Sequence, residues 1–166
     1  MKFRNYKPTD HKACLKLFDS NCPPFFDESE RLLFDNWLLA FDTNEVAHAN
    51  INQSLYYVGE LNEVIICCGG IYSLKEKNEV RLSWGMVLRE YHQKGYGKTL
   101  LKYRLEEFNK HFSGFNLKLD TSQLTVGFYK QMNFRVTKIE KDGYGVGLDR
   151  YDMDYQNMKI DNEPRE

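Results

Sequence analysis

The stretch from Glu79 to His111 most constrains the fold. Val80, Leu82, Trp84, Met86 and Leu88 alternate with Glu79, Arg81, Ser83, Gly85 and Val87. A period of two predicts a strand over Glu79–Leu88, apolar on one face and mostly polar or small on the other. Tyr91 to Gly97 is a loop rich in Gly and Lys. Lys98 to His111 then takes up helical spacing, with Leu101, Leu105 and Phe108 on one side and Gly114 as the stop signal. A strand that enters a helix through Gly95-Tyr96-Gly97 lets a ligand approach the backbone closely and presents unpaired N–H groups at the helix start. Such a site suits a phosphate or pyrophosphate, and Lys94 and Lys98 add positive charge beside it. Two nucleotide motifs are incomplete here. His92 stands where GxxxxGK[ST] needs its first glycine, and Leu100 where GxGxxG needs its third.

The flanking segments predict the remaining elements. Lys2 to Tyr6 reads as an opening strand. A helix starts near Pro8-Thr9-Asp10, carries Cys14, Leu17 and Phe18 on one stripe, and ends at Asn21-Cys22-Pro23-Pro24. Asp27, with Glu30 three residues on, predicts the cap of a second helix whose apolar stripe is Leu33, Trp37 and Phe41, widened by Phe34 and Leu38. Asp42 to Ser54 reads as polar connection. Leu55–Leu61 and Val64–Leu74 are strand-like and meet at an Asn62-Glu63 hairpin. Phe115–Leu119 is a strand, and Leu124–Met132 is a short helix closed by Asn133. Phe134–Glu140 and Leu148–Tyr155 are the last strands, with Gly143, Gly145 and Gly147 in the turn between them. The order β-α-α-β-β-β-α-β-α-β-β predicts a single-domain α/β fold, a mixed, mostly antiparallel sheet flanked by helices. At 166 residues the chain has the length of one domain, expected over 1–155 with a polar tail over 156–166.

Composition excludes several classes of function. The formal net charge is -1, which gives no global pull toward nucleic acid or anionic lipid. The apolar run Val64–Tyr72 is about half as long as a membrane helix requires, so no membrane partner is expected. Met1 to Tyr6 is polar and shows no secretory pattern, which predicts a cytoplasmic protein. The four cysteines, Cys14, Cys22, Cys67 and Cys68, form no CxxC pair and read as reduced, mostly buried thiols. No metal is expected, since Asp149, Asp152 and Asp154 lack the spacing of a calcium loop.

A second chemical feature is Phe128-Tyr129-Lys130-Gln131-Met132-Asn133-Phe134. It follows the strand after the Gly95-Tyr96-Gly97 helix, which would bring it to the same strand ends. Taken together, Tyr91-His92-Gln93-Lys94-Gly95-Tyr96-Gly97-Lys98 and this later segment resemble the GNAT superfamily of acyl-CoA-dependent N-acyltransferases. The family's cofactor loop is [QR]-x-x-G-x-[GA], and its late helix carries F-Y or L-Y followed by G-F. His92 replaces the family's Gln or Arg, Asn133 its Gly, and Ser122 an Asn that touches the cofactor arm in many relatives. Arg81 lies where some relatives place a catalytic Glu.

The resemblance implies acetyl-CoA as co-substrate and direct attack by a primary amine. Gln93, Lys94, Gly95, Tyr96, Gly97 and Lys98 would hold the pyrophosphate. The backbone of Met86, Val87 and Leu88 would pair with the pantetheine arm, and Ser122 would lie along it. Tyr129 matches the family's general acid for the leaving thiolate. Glu79, on the polar strand face, is a candidate to accept the amine proton through water. Phe25, Phe26, Arg81 and Tyr144 would face the acceptor, a small-molecule or peptide amine, and a homodimer is compatible with the family. The alternative is a catalytically silent CoA-binding sensor of the same fold, for which His92 and Arg81 speak.

Overall fold

Asn62 and Glu63 both take positive φ, 50° and 65°, which turns the chain tightly between two long antiparallel strands. These are β2 (Ile51–Leu61) and β3 (Val64–Leu74), and they form the centre of one half of the sheet. The computed structural model describes residues 1–45 and 49–156. The other elements are β1 (Lys2–Asn5), α1 (His11–Asn21), α2 (Glu30–Asp42), β4 (Glu79–Val87), α3 (Tyr96–His111), β5 (Asn116–Ser122), α4 (Val126–Gln131), β6 (Phe134–Gly145) and β7 (Leu148–Tyr155). The seven strands lie in the order β1-β2-β3-β4-β5-β7-β6. All neighbours are antiparallel except β4 and β5, so the α/β class and the element order are as expected.

Apolar stripes place the helices on opposite faces of the sheet. On one face, Cys14, Leu17 and Phe18 of α1 and Phe34, Trp37 and Leu38 of α2 pack with Tyr56, Val58 and Cys68. On the other, Leu101 and Phe108 of α3 pack with Tyr57, Ile71, Val80 and Leu82. The second helix corrects one expectation. Its core face is Phe34, Trp37 and Leu38, while Leu33 is turned outward at 59% exposure.

The feature that shapes the site is a bulge in β4. Cys68 pairs with Met86 and Gly70 with Ser83, so β4 has one residue more than β3 across this interval. Trp84, at φ 41°, absorbs it. The period-2 expectation of one apolar face therefore fails at this point. Val80 and Leu82 face α3, whereas Trp84, Met86 and Leu88 face α1 and α2. From Leu82 onward β4 and β5 separate, because they pair only from Glu79↔Asn116 to Arg81↔Lys118.

Smaller differences follow from pairing that a local pattern does not carry. β2 begins at Ile51, four residues before the expected start at Leu55, because Ile51 pairs with Leu74. The first turn of α3 starts at Tyr96 rather than Lys98. β6 runs through Gly143 to Gly145, leaving the turn at Val146-Gly147. The chain end from 157 to 166, assigned to a polar tail, lies outside the described residues. All four cysteines are free, and Cys14, Cys67 and Cys68 are buried.

Candidate active site

The separation of β4 and β5 opens a cleft of about 1000 Å³ that crosses the sheet. Met86 and Val87 form one wall and Leu119 to Ser122 the other. Gln93, Gly95, Gly97 and Lys98 close one end, Phe128 and Tyr129 line the middle, and Phe25, Phe26, Glu30, Leu33, Asp120 and Tyr144 surround the other end.

The first end is made of backbone. Gly95 caps α3 at φ 85°, in the left-handed region that glycine adopts without strain. The first backbone hydrogen bond of the helix runs from Thr99 N–H to Gly95 O, so the N–H groups of Tyr96, Gly97 and Lys98 have no acceptor within the helix. A Cβ on Gly97 would stand 3.9 Å from Phe128 and from Val87, at the cleft wall. Bare amides, a helix dipole and Lys98 together fit a pyrophosphate. Lys94 and Tyr96 do not line the cleft. The Lys94 ammonium stands 5.2 Å from the centre of the Tyr91 ring, and Tyr96 packs edge-on to the same ring.

The bulge leaves strand carbonyls without ladder partners, and side chains from four other segments take them. Tyr56 donates to Trp84 O at 3.0 Å, and Arg104 donates to Gly70 O and Ser83 O. Asn21 donates to Val87 O at 2.9 Å, and His92 Nε2 meets the same oxygen at 2.9 Å. His92 therefore ties the loop back to the strand. Leu88 N–H is bonded to Ile66 O at 2.7 Å, which turns its backbone toward β3. By alternation the Val87 backbone faces the cleft. Of the three residues expected to receive the pantetheine arm, Met86 and Leu88 thus turn their backbone toward β3, and Val87 faces the cleft.

The second end is made of side chains from distant segments. Tyr144 donates to Asp120 Oδ2 at 2.6 Å, and Arg81 donates to Asp120 Oδ1 at 2.8 Å. Arg81 also bonds Glu79 at 3.1 Å, and Lys118 holds the other Glu79 oxygen at 3.1 Å. Glu79 and Arg81 therefore support the cleft floor and do not line the cleft, unlike the positions expected of them. The carboxylates that line it are Asp120 and Glu30. Burial pushes the Glu30 carboxyl up to about 6, while the Asp27 N–H that it accepts pulls it back down. Burial and the Asp120 carboxylate raise the Tyr144 phenol. Phe26 stacks on Phe18, and Phe25 packs edge-on to His92, so both rings wall this end. From sequence Glu30 reads only as a helix-cap residue. Its place in the cleft depends on the fold bringing the start of α2 opposite β5.

The profile of the Acetyltransferase (GNAT) domain matches residues 27–156. The chain belongs to the GNAT acetyltransferase family. Its fold is shared with a GNAT-family protein of Desulfovibrio desulfuricans, at 17% identity and a TM-score of 0.76 over 93% of this chain and 98% of that one. A ribosomal-protein-S18-alanine N-acetyltransferase of Escherichia coli aligns at 17% identity and a TM-score of 0.70 over 99% of each chain. A PaiA N-acetyltransferase of Thermoplasma acidophilum, solved in complex with coenzyme A, aligns at 16% identity and a TM-score of 0.67 over 93% of this chain and 98% of that one. No curated protein sequence matches the chain significantly. Among the described residues of this GNAT domain no cluster of His, Cys, Asp and Glu could hold a metal, and no helix is long and apolar enough to cross a membrane.

Proposed function

We propose that this GNAT protein transfers an acetyl group from acetyl-CoA to a primary amine by direct attack. The observation that carries this reading is one cleft with an anion-binding helix start at one end, the carboxyls of Glu30 and Asp120 at the other, and Tyr129 between them. The α3 N-terminus with Gly97 and Lys98 holds the pyrophosphate. The Val87 N–H donates to the pantetheine arm, which enters between β4 and β5 and passes Met86 and Ser122, while the Val87 carbonyl stays with Asn21 and His92.

The acceptor enters from the side of Phe25, Phe26 and Tyr144. An alkylammonium has a pKa of about 10.4 and must lose a proton before it attacks. Glu30, with its carboxyl raised to about 6, is ionised at neutral pH and still a usable base, and it lines this end. Asp120 adds negative charge that draws an ammonium inward. Glu30 supersedes Glu79 as base in our reading, because both Glu79 oxygens are held by Arg81 and Lys118, and Asp120, held by Tyr144 and Arg81, contributes charge only. When the carbon–sulfur bond breaks, the electron pair goes to sulfur and Tyr129 Oη supplies the proton. The Escherichia coli neighbour is named for acetylating an alanine of a ribosomal protein, which puts peptide amines beside small-molecule amines in the set to be tried.

The test is release of free thiol from acetyl-CoA in the presence of polyamines, aminoglycosides, amino acids and peptides. Amine-dependent thiol release with a matching acetylated product supports the reading. Binding of acetyl-CoA without release for any amine overturns it in favour of a CoA-binding module.

A further inference from the structure

Arg104 is 2% exposed and lies on α3, over the bulge. Its Nε and one terminal nitrogen donate to Gly70 O at 3.1 and 2.6 Å, and the same terminal nitrogen reaches Ser83 O at 3.0 Å. The strands make room for it. A Cβ on Gly85 would stand 2.3 Å from the guanidinium, and one on Gly69 3.2 Å from the side chain. None of the ion pairs between described residues includes Arg104. Satisfying two carbonyls calls only for a neutral donor such as an amide. A buried cation without a carboxylate carries a large desolvation cost, so the charge itself needs an explanation.

The surroundings supply one. Arg104 lines the cleft together with Tyr129, Gly85 and Val87. Its guanidinium lies beside the Tyr129 phenol. The other titratable groups facing the pair are Tyr56 and Tyr57 from β2, Cys67 and Cys68 from β3, and Asp120 from β5. β4 contributes the Ser83 carbonyl, and Glu107, one turn along α3, is held by Tyr57, Lys110 and His111.

We propose that Arg104 is a positioning residue for acyl transfer: held on the bulge carbonyls, it orients the Tyr129 hydroxyl and neutralises the phenolate left when Tyr129 gives up its proton. This rests on the acetyl transfer proposed above. In the step itself the carbon–sulfur bond breaks, the electron pair stays on sulfur, and the proton passes from Tyr129 Oη to sulfur. The phenolate then sits against a fixed cation until solvent returns the proton. Burial raises the Tyr129 phenol and the guanidinium opposes that rise, which makes a buried tyrosine a competent acid.

The test is a cycle of Arg104→Gln, Arg104→Lys and Tyr129→Phe, assayed with acetyl-CoA and an amine that the wild type accepts. Arg104→Gln keeps a donor for the carbonyls and removes the charge. We expect it to lower kcat by about 10²-fold with the KM for acetyl-CoA within about threefold. Arg104→Lys should recover most of kcat, because it keeps the charge. In the Tyr129→Phe background Arg104→Gln should cost less than about threefold, since both act on one proton. A purely structural Arg104 predicts otherwise: both substitutions lower the melting temperature, kcat follows it, and the losses add in the double variant. That result overturns the proposal while leaving the acetyl transfer intact. A wild type that releases no thiol with any amine takes both readings down.

Discussion

The two ends of the cleft are built from different materials. The cofactor end is backbone from one continuous segment, Met86 to Lys98, and its working groups are amides that any sequence of suitable conformation would present. The acceptor end is side chains from four segments, Phe25 to Leu33, Trp84, Asp120 and Tyr144, brought together only by the finished sheet. The difference decides what a sequence can disclose. Gly95 at φ 85° is a local demand that the sequence states openly. Locally the Glu30 carboxyl is marked only as a helix-cap partner of Asp27; its place in the cleft, and the burial that raises it, come from the fold.

The largest effect should come from breaking the backbone end. Gly97→Glu places bulk and negative charge at a position whose Cβ would face Phe128 and Val87 across the cleft. The wild type at about 100 times the Kd of acetyl-CoA should gain about 2.7 kcal/mol of stability, read as a rise in melting temperature. In Gly97→Glu that rise should vanish and turnover should be undetectable. A retained rise would move the pyrophosphate site away from the α3 N-terminus.

Tyr129→Phe comes next. The ring keeps its packing against Phe128 and Phe134, so no cavity forms and the fold should be preserved. Loss of a general acid is worth about 10²–10⁴ in rate, seen in kcat with little change in acetyl-CoA binding. Turnover within about threefold of wild type would leave Tyr129 as a packing residue and give the proton to water.

Glu30→Gln tests the side-chain end. A base whose carboxyl titrates at about 6 gives kcat/KM an acidic limb near that pH. The substitution should lower kcat/KM by about 10–10²-fold at pH 7 and flatten that limb. The stability sign runs the other way. Burial raises this carboxyl above its unfolded value of about 4.3, so the native state binds more protons and loses stability as pH rises toward 6. The amide is not subject to that loss, so Glu30→Gln should melt no lower than wild type at pH 7.5. Falling activity with unchanged or rising stability would mark a functional carboxyl, whereas a fall in both would make Glu30 structural.

How far the sequence reached follows the same division. The order of elements, the hairpin at Asn62-Glu63 and the Gly95-Tyr96-Gly97 turn were legible, since each rests on local period or local backbone need. The bulge at Trp84 was not. A strict alternation hides an inserted residue until β3 shows that Cys68 and Gly70 oppose Met86 and Ser83. That one residue moves Trp84 and Met86 to the other face and exposes the carbonyls that Arg104, Tyr56, Asn21 and His92 take. Glu79 was illegible for another reason: one of its partners, Lys118, lies on β5. Read as a free carboxylate on a polar face, it suggested a base; paired with Arg81 and Lys118, it is a brace.

The smallest effect sharpens that last point. Glu79→Gln removes one partner each from Arg81 and Lys118, but Arg81 keeps its 2.8 Å contact with Asp120. Asp120 in turn keeps the Tyr144 hydroxyl at 2.6 Å, so the acceptor end should hold its geometry. A partly exposed ion pair contributes about 1 kcal/mol or less, which would show as a drop of a few degrees in melting temperature. Turnover should stay within about threefold of wild type, and the acidic limb should not move. Running Glu79→Gln and Glu30→Gln side by side makes the comparison sharp, because both delete one carboxylate and only one of the two lines the cleft. If Glu79→Gln instead shifts the acidic limb as far as Glu30→Gln does, that limb reports the ionisation of the linked Asp120–Arg81–Glu79 network. The base is then the network on the strand floor rather than the single carboxyl on α2.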